Sequence, residues 1–256
     1  MSEQVVLIGH NISYSASPAM LAAAFAACGL DWRYSLCDVE AGSLPAVVAQ
    51  LRSGELRGAN VTQPHKAAVR PLLDVLSPDV ERVDAVNTVV RAPDGSLAGH
   101  TTDLPALADE LDALGGPFRR AVVLGRGGAA RTAQAALNDR GAHVALVGRD
   151  DWAGLESLVA GADLLVNATP IGTGGEDAPV PRMLLRPGLA VLDLVYRPSP
   201  SDLVIKAKEA GAVARGGAGM LLGQAARSFT LWTGLEAPLD VMREGLRAEL
   251  GPAADV

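Results

Sequence analysis

The segment Ala121-Val122-Val123-Leu124-Gly125-Arg126-Gly127-Gly128-Ala129-Ala130 leaves the chain few folds to choose from. A short apolar run ends in closely spaced glycines, and alanine-rich sequence follows to about Arg140. That is the pattern of a buried strand, a tight loop and a helix. Glycines there let the backbone approach a pyrophosphate. The helix N-terminus offers free N–H groups and a partial positive charge. A Gly-x-Gly alone also reads as an ordinary tight turn. The strand before it and the helix after it make a dinucleotide loop the better reading. Gly125, Arg126, Gly127, Gly128 and Ala129 are therefore the candidate cofactor-loop residues.

The next strand, Val144 to Val147, runs into Gly148-Arg149-Asp150-Asp151. In such a unit an acidic residue at this strand end holds a ribose 2′-hydroxyl, whereas arginine accepts a 2′-phosphate. Arg149 occupies the phosphate-binding place, with two aspartates immediately behind it. Arg126 either adds positive charge near the phosphates or is a solvated surface arginine. The balance favours NADP, with NAD as the alternative.

Strand and helix signals alternate along the rest of the chain. Val5 to Gly9, Arg33 to Val39, Gly58 to Thr62 and Ala85 to Arg91 read as strands. Pro18 to Ala27, with Ser17 as its cap, Ser43 to Ser53 and Val69 to Leu76 read as helices. Leu104 to Leu114 reads as a helix joining two halves, and Gly115-Gly116-Pro117 breaks the pattern after it. Leu164 to Asn167 and Leu189 to Leu194 are further strands. Helices near Met220 to Thr233 and Leu239 to Glu249 close the sequence. The expectation is a mainly parallel α/β protein of two domains. Residues 1–103 form the first, 104–234 the second, and 235–256 pack back on the first.

A chain of 256 residues with 49% hydrophobic and 20% charged residues can bury two modest cores. A net charge of −7, with no Lys/Arg cluster to offset it, argues against a nucleic-acid surface. Cys28 and Cys37 lack metal-ligand spacing, so no metal is expected and the thiols fit a reducing compartment. No signal-peptide pattern and no long apolar run is visible, which points to a cytoplasmic protein without membrane contact.

Reducing a carbonyl with hydride requires a proton donor at the developing alkoxide. Gly58 to Lys66 ends a strand and turns at Pro64, which puts Thr62 and Lys66 at the carboxyl end of a sheet, where α/β folds bind ligands. Gly99-His100-Thr101-Thr102-Asp103 is a second polar loop that enters a helix. A Lys–Asp pair orients the ammonium toward a substrate oxygen. Taken singly, Lys66 reads as a surface charge and Asp103 as a helix cap.

Together these segments resemble the shikimate dehydrogenase family over nearly the whole chain. The resemblance is carried by Ser15-Ala16-Ser17-Pro18, Asn60-Val61-Thr62-Gln63-Pro64-His65-Lys66, Ala85-Val86-Asn87-Thr88 and Thr102-Asp103. It continues through the glycine loop, Asn167-Ala168-Thr169-Pro170-Ile171-Gly172, Asp193-Leu194-Val195-Tyr196-Arg197-Pro198 and Gly219 to Ala225. It implies an N-terminal α/β substrate domain beside a Rossmann-type cofactor domain, and reversible reduction of 3-dehydroshikimate to shikimate with NADPH. That is a step of chorismate and aromatic amino acid biosynthesis. It further implies Lys66 and Asp103 as the catalytic pair, and Ser15 and Ser17 on the substrate carboxylate. Thr62, Asn87 and Gln224 would bind ring hydroxyls, and Tyr196 would close the pocket. Arg149, Thr169 and Gly217 join the glycine loop as cofactor contacts. A polyhydroxylated acid needs such neutral hydrogen-bonding groups for orientation and one proton-transfer group for chemistry. The protein is expected as a monomer or homodimer.

Three departures stand out. Thr101 replaces the family's frequent Asn, and Arg126 stands where a small residue is usual. The cofactor half looks short, with room for one short helix between Arg149 and Leu164. Two further readings stay open: a quinate or aminoshikimate dehydrogenase, NADP- or NAD-linked, and a shikimate-binding sensor with weak cofactor affinity.

Overall fold

The apolar runs form two separate sheets in the computed structural model, which describes residues 2–254 and 256 but not the side chains of Arg149 and Asp150. Residues 1–102 and 222–249 make one unit, and residues 103–221 and 250–256 the other.

In the first unit, β1 (Glu3–Gly9), β2 (Trp32–Asp38), β3 (Gly58–Val61), β4 (Val75–Leu76), β5 (Thr88–Arg91) and β6 (Leu97–His100) build the sheet. Its helices are α1 (Ser17–Ala27), α2 (Leu44–Ser53), α3 (His65–Ala68) and α4 (Pro78–Val83). The strand order is β2-β1-β3-β5-β6-β4. Val5 to Ile8 of β1 is buried throughout, as a central strand covered on both faces must be. Val47, Val48 and Leu51 of α2 pack on Val6, Ile8, Ala59, Val61 and Val89. Gly54 ends α2 at φ 85, a left-handed conformation that costs glycine little. β5 runs antiparallel to β3 and β6, and the other pairs are parallel. The carboxyl ends of β1, β3 and β6 and the amino end of β5 therefore share one edge.

The second unit begins with α5 (Asp103–Ala113). Then come β7 (Arg120–Leu124), α6 (Gly128–Asn138), β8 (His143–Val147), α7 (Leu155–Ala160), β9 (Leu164–Asn167), β10 (Ala190–Asp193), α8 (Asp202–Glu209) and β11 (Val213–Arg215). All five strands are parallel, in the order β11-β10-β9-β7-β8. The chain leaves β7 toward β8 and then crosses to β9 on the other side. The direction of winding reverses at the carboxyl end of β7, the place where doubly wound sheets bind ligands. As expected, a single short helix, α7, follows the 3-10 turn at 149–154. Helix α9 (Ala218–Thr233) passes from this unit into the first, and α10 (Leu239–Leu250) follows. The contact division thus gives residues 222–234 to the first unit.

Three local expectations need correction. Residues 69–76 are not one helix: a 3-10 turn at Arg70–Leu72 gives way to β4. Pro71 lacks the N–H that a continuing helix needs, and the Asp74 N–H bonds the Leu97 carbonyl instead (2.9 Å). The strand expected from Ala85 begins only at Thr88, because the N–H of Val86 bonds the Lys66 carbonyl (2.9 Å) outside the ladder. Ser17 is not a cap: α1 starts on it, Ala16 is the N-cap, and no side chain caps the helix.

Candidate active site

Four backbone hydrogen bonds tie the loops at the shared edge of the first sheet together. The N–H of Thr62 bonds the Ile8 carbonyl (2.8 Å), and that of Val61 bonds the Asn87 carbonyl (2.8 Å). Val86 bonds Lys66 as above, and the Asn87 N–H bonds the His100 carbonyl (3.0 Å). Thr62, Lys66, Asn87 and the strand leading to Asp103 are therefore held in one fixed group. Next to Lys66, the fully buried His65 makes a 2.8 Å bond from Nε2 to the Val39 carbonyl, which pins α3 to the chain leaving β2.

Asn87 is buried and joined to the Thr102-Asp103 turn twice. Its Oδ1 accepts from the Thr102 N–H (2.7 Å), and its Nδ2 donates to Thr102 Oγ1 (2.8 Å). Nδ2 also lies 3.5 Å from Gln224 Oε1. Thr102 is buried and is followed directly by Asp103, the first residue of α5. Asp103 is itself buried.

Beneath these groups is a polar lattice that the sequence reading missed. Asn60 Nδ2 donates to Ser228 Oγ (2.9 Å), to Thr88 Oγ1 (3.1 Å) and to the Asn87 carbonyl (3.1 Å). Its Oδ1 accepts from the Tyr34 hydroxyl (2.9 Å). Ser228 Oγ also lies 2.8 Å from Thr88 Oγ1 and 3.2 Å from Thr102 Oγ1. A buried hydroxyl or amide is tolerated only with partners of this kind, and such a lattice specifies one arrangement of the core. The available signal was a polar residue, Asn60 or Thr88, inside an otherwise apolar strand. Thr101, at the departure noted above, is buried, and its Oγ1 has no partner among the described residues.

Ser15 lies on the loop that leaves β1, and Ser17 opens α1. The Ser17 N–H donates to Ser15 Oγ (3.3 Å). Asp38, also missed from sequence, holds this loop by accepting from the N–H groups of Asn11 (3.0 Å) and Ile12 (3.2 Å). Those two bonds and nearby His10 keep its carboxyl below the usual carboxylate range, with the Asn11 bond the largest cause.

In the second unit the glycine loop sits at the carboxyl end of β7. Gly125 has φ +112, and a Cβ on it would lie 3.0 Å from the Ala168 carbonyl oxygen. Gly127 is the N-cap of α6 and no side chain caps it, so the first N–H groups of that helix are left to an anion. Arg126 in the loop is ion-paired with Asp151 across the end of β8. The side chain of Arg149 lies outside the described residues. These features fit a dinucleotide pyrophosphate. Among the described residues no cluster of three or more His, Cys, Asp or Glu could hold a metal ion.

Two buried side chains organise the loops past β9 and β10. Asn167 Oδ1 accepts from the N–H and the hydroxyl of Thr169 (3.1 and 2.7 Å). Its Nδ2 donates to Asp193 Oδ1 (2.8 Å) and to the Ile171 carbonyl (3.1 Å). Asp193 also accepts from Ser201 Oγ (2.5 Å) and the Val195 N–H (3.1 Å). Burial pushes the Asp193 carboxyl up to about 6, against the pull of these donors. The half-buried Tyr196 stands on the loop so fixed. Gly217 bonds the Val195 carbonyl through its N–H (3.1 Å), and a Cβ there would press into the Leu194 backbone. It permits a close backbone approach.

Comparison with known proteins agrees with this geometry. Residues 7–89 match the family model for the shikimate dehydrogenase substrate binding domain, and residues 217–247 that for the shikimate 5′-dehydrogenase C-terminal domain. A shikimate dehydrogenase (NADP(+)) of Moorella thermoacetica is 39% identical, over 98% of this chain and 94% of that protein. The structure of shikimate 5-dehydrogenase from Thermus thermophilus in complex with NADP(H) and shikimate is 36% identical with a TM-score of 0.86, covering 97% of this chain and 100% of that one. A quinate dehydrogenase from Corynebacterium glutamicum in complex with NAD is 31% identical with a TM-score of 0.87, covering 96% and 99%.

Proposed function

Because the chain belongs to the shikimate dehydrogenase family, we propose that it reversibly reduces 3-dehydroshikimate to shikimate with NADPH. The observation that carries this reading is the gathering of Thr62, Lys66 and Asn87 on one sheet edge, with Thr102 locked to Asn87 just before Asp103.

The bound nicotinamide supplies the hydride. The protein must then orient a polyhydroxylated acid and deliver one proton. Ser15 and Ser17 take the carboxylate through their hydroxyl donors. Thr62, Asn87 and Gln224 bind ring hydroxyls, with Tyr196 as a further substrate contact. Lys66 donates a proton from Nζ to the oxygen that becomes the hydroxyl, and Asp103 orients that ammonium. In the reverse direction the same amine accepts the proton. On the cofactor side, Gly125, Gly127, Gly128 and Ala129 would hold the pyrophosphate, with Arg126 reaching from the same loop to the end of β8. Arg149, Thr169 and Gly217 would complete the cofactor contacts. The same reading puts the enzyme in the cytoplasm, as a monomer or homodimer.

The test is absorbance at the reduced-nicotinamide band with shikimate, quinate and an aminated analogue, each with NADP and NAD. Shikimate with NADP should turn over best. Lys66→Ala should lower kcat by about a hundredfold or more while the fold persists. Near-normal turnover of that variant removes Lys66 from the chemistry.

A further inference from the structure

The proposed function leaves open what makes this chain choose a phosphorylated cofactor, and the residues at the end of β8 give an answer. Gly148, the first residue after β8, has φ −81 and ψ 173. That is extended backbone open to any residue, so its conformation does not call for glycine. What glycine leaves open here is room for a neighbouring side chain. A Cβ at 148 would lie 2.9 Å from Arg126 Nε and 3.2 Å from its Cζ. The Arg126 side chain thus crosses from the glycine loop and lies on the bare backbone of Gly148. Asp151 holds it there: its carboxylate is ion-paired with the guanidinium and accepts from the Gly148 N–H (3.3 Å). Arg126 has 62% of its side chain exposed, and Asp151 has 47%. The pair is open to solvent and free to exchange partners.

Resting on the reading that a dinucleotide binds this loop, we propose that Arg126, seated on Gly148, is a specificity-determining residue that receives the cofactor's 2′-phosphate in place of Asp151. The strand end where the two meet is where such folds distinguish a 2′-hydroxyl from a 2′-phosphate. Asp151 alone would favour the hydroxyl and repel a phosphate. Paired with Arg126 it is neutralised, and a phosphate dianion is the stronger partner for a planar guanidinium. Cofactor choice is then a competition between two anions for one arginine.

The test is calorimetric binding of adenosine 2′,5′-bisphosphate and of 5′-AMP to the full-length protein, so that it does not depend on turnover. Arg126→Ala should weaken the bisphosphate on the order of tenfold or more while changing 5′-AMP by about twofold at most. Gly148→Ala, which crowds the seat without straining the backbone, should act in the same direction by a smaller factor. Asp151→Asn should tighten the bisphosphate severalfold. If Arg126→Ala weakens both nucleotides equally, or neither, the proposal is overturned. It is overturned as well if Arg149→Ala alone removes the preference. A wild-type protein that oxidises shikimate with NADP in the absorbance assay keeps the proposed function whichever way Arg126 behaves. A wild-type protein that binds neither nucleotide overturns both.

Discussion

Replacing Asp193 with asparagine should change how stability depends on pH, by an amount set by burial. The carboxyl is fully buried at the end of β10 and pushed up to about 6, whereas an unfolded aspartate titrates near about 3.9. The native state therefore binds this proton more tightly than the unfolded state does. The contribution of this group to stability is full below about pH 4, is lost as pH rises through about 6, and is absent above that. A difference of about 2 pH units at roughly 1.4 kcal/mol each gives a total near 3 kcal/mol, of which about 2 kcal/mol falls between roughly pH 4.5 and 7.5. Asparagine keeps nearly the same shape and does not titrate. It can still accept from Asn167 and the Val195 N–H and donate to Ser201. Urea unfolding followed by circular dichroism, for both proteins across this range, isolates the effect, because every other carboxyl cancels in the difference. The stability of Asp193→Asn relative to wild type should rise by about 2 kcal/mol from the acidic to the neutral end. A difference that stays level within about 0.5 kcal/mol would refute the reasoning. It would mean that the donors on Ser201, Asn167 and Val195 outweigh burial and keep the carboxylate ionised throughout.

Ser228→Ala should lower the thermal midpoint by several degrees, because it leaves Asn60, Thr88 and Thr102 short of a buried partner at a cost of about 1–3 kcal/mol. Gly217→Ala should destabilise by about 1–3 kcal/mol, seen in the same melt, because the new methyl must push the Leu194 backbone aside.

Much of the fold was legible because it follows from local rules. Continuous apolar runs such as Val5 to Ile8 and Ala121 to Leu124 become buried parallel strands. The glycines after Leu124 marked the loop at the end of β7. The elements missed were those whose identity depends on neighbours. β6 is a short strand with glycine in it, held by β5 and β4. β11 has three residues and exists because β10 lies beside it. α8 follows a run of prolines and serines that reads as loop, and Ser201 caps it by accepting from the Val204 N–H.

The candidate site divides in the same way. Thr62, Lys66 and Asp103 could be singled out because polar side chains at strand ends form a pattern along the chain, and Asn87 through the family resemblance. The residues that hold them could not. Asn60 and Ser228 are 168 positions apart, and Asn167 and Asp193 are 26 apart. Nothing in either local sequence states that the two side chains meet.

The amino-acid sequence by itself determined the longer strands and helices, where the glycine loop falls and which side chains can carry the chemistry, since backbone preference and hydrophobic period act over a few residues. Only the tertiary structure decided that Asn87 locks Thr102, that burial outweighs three donors at Asp193, and that Arg126 rests on Gly148 against Asp151. Burial and hydrogen-bond partnership are properties of distant segments brought together.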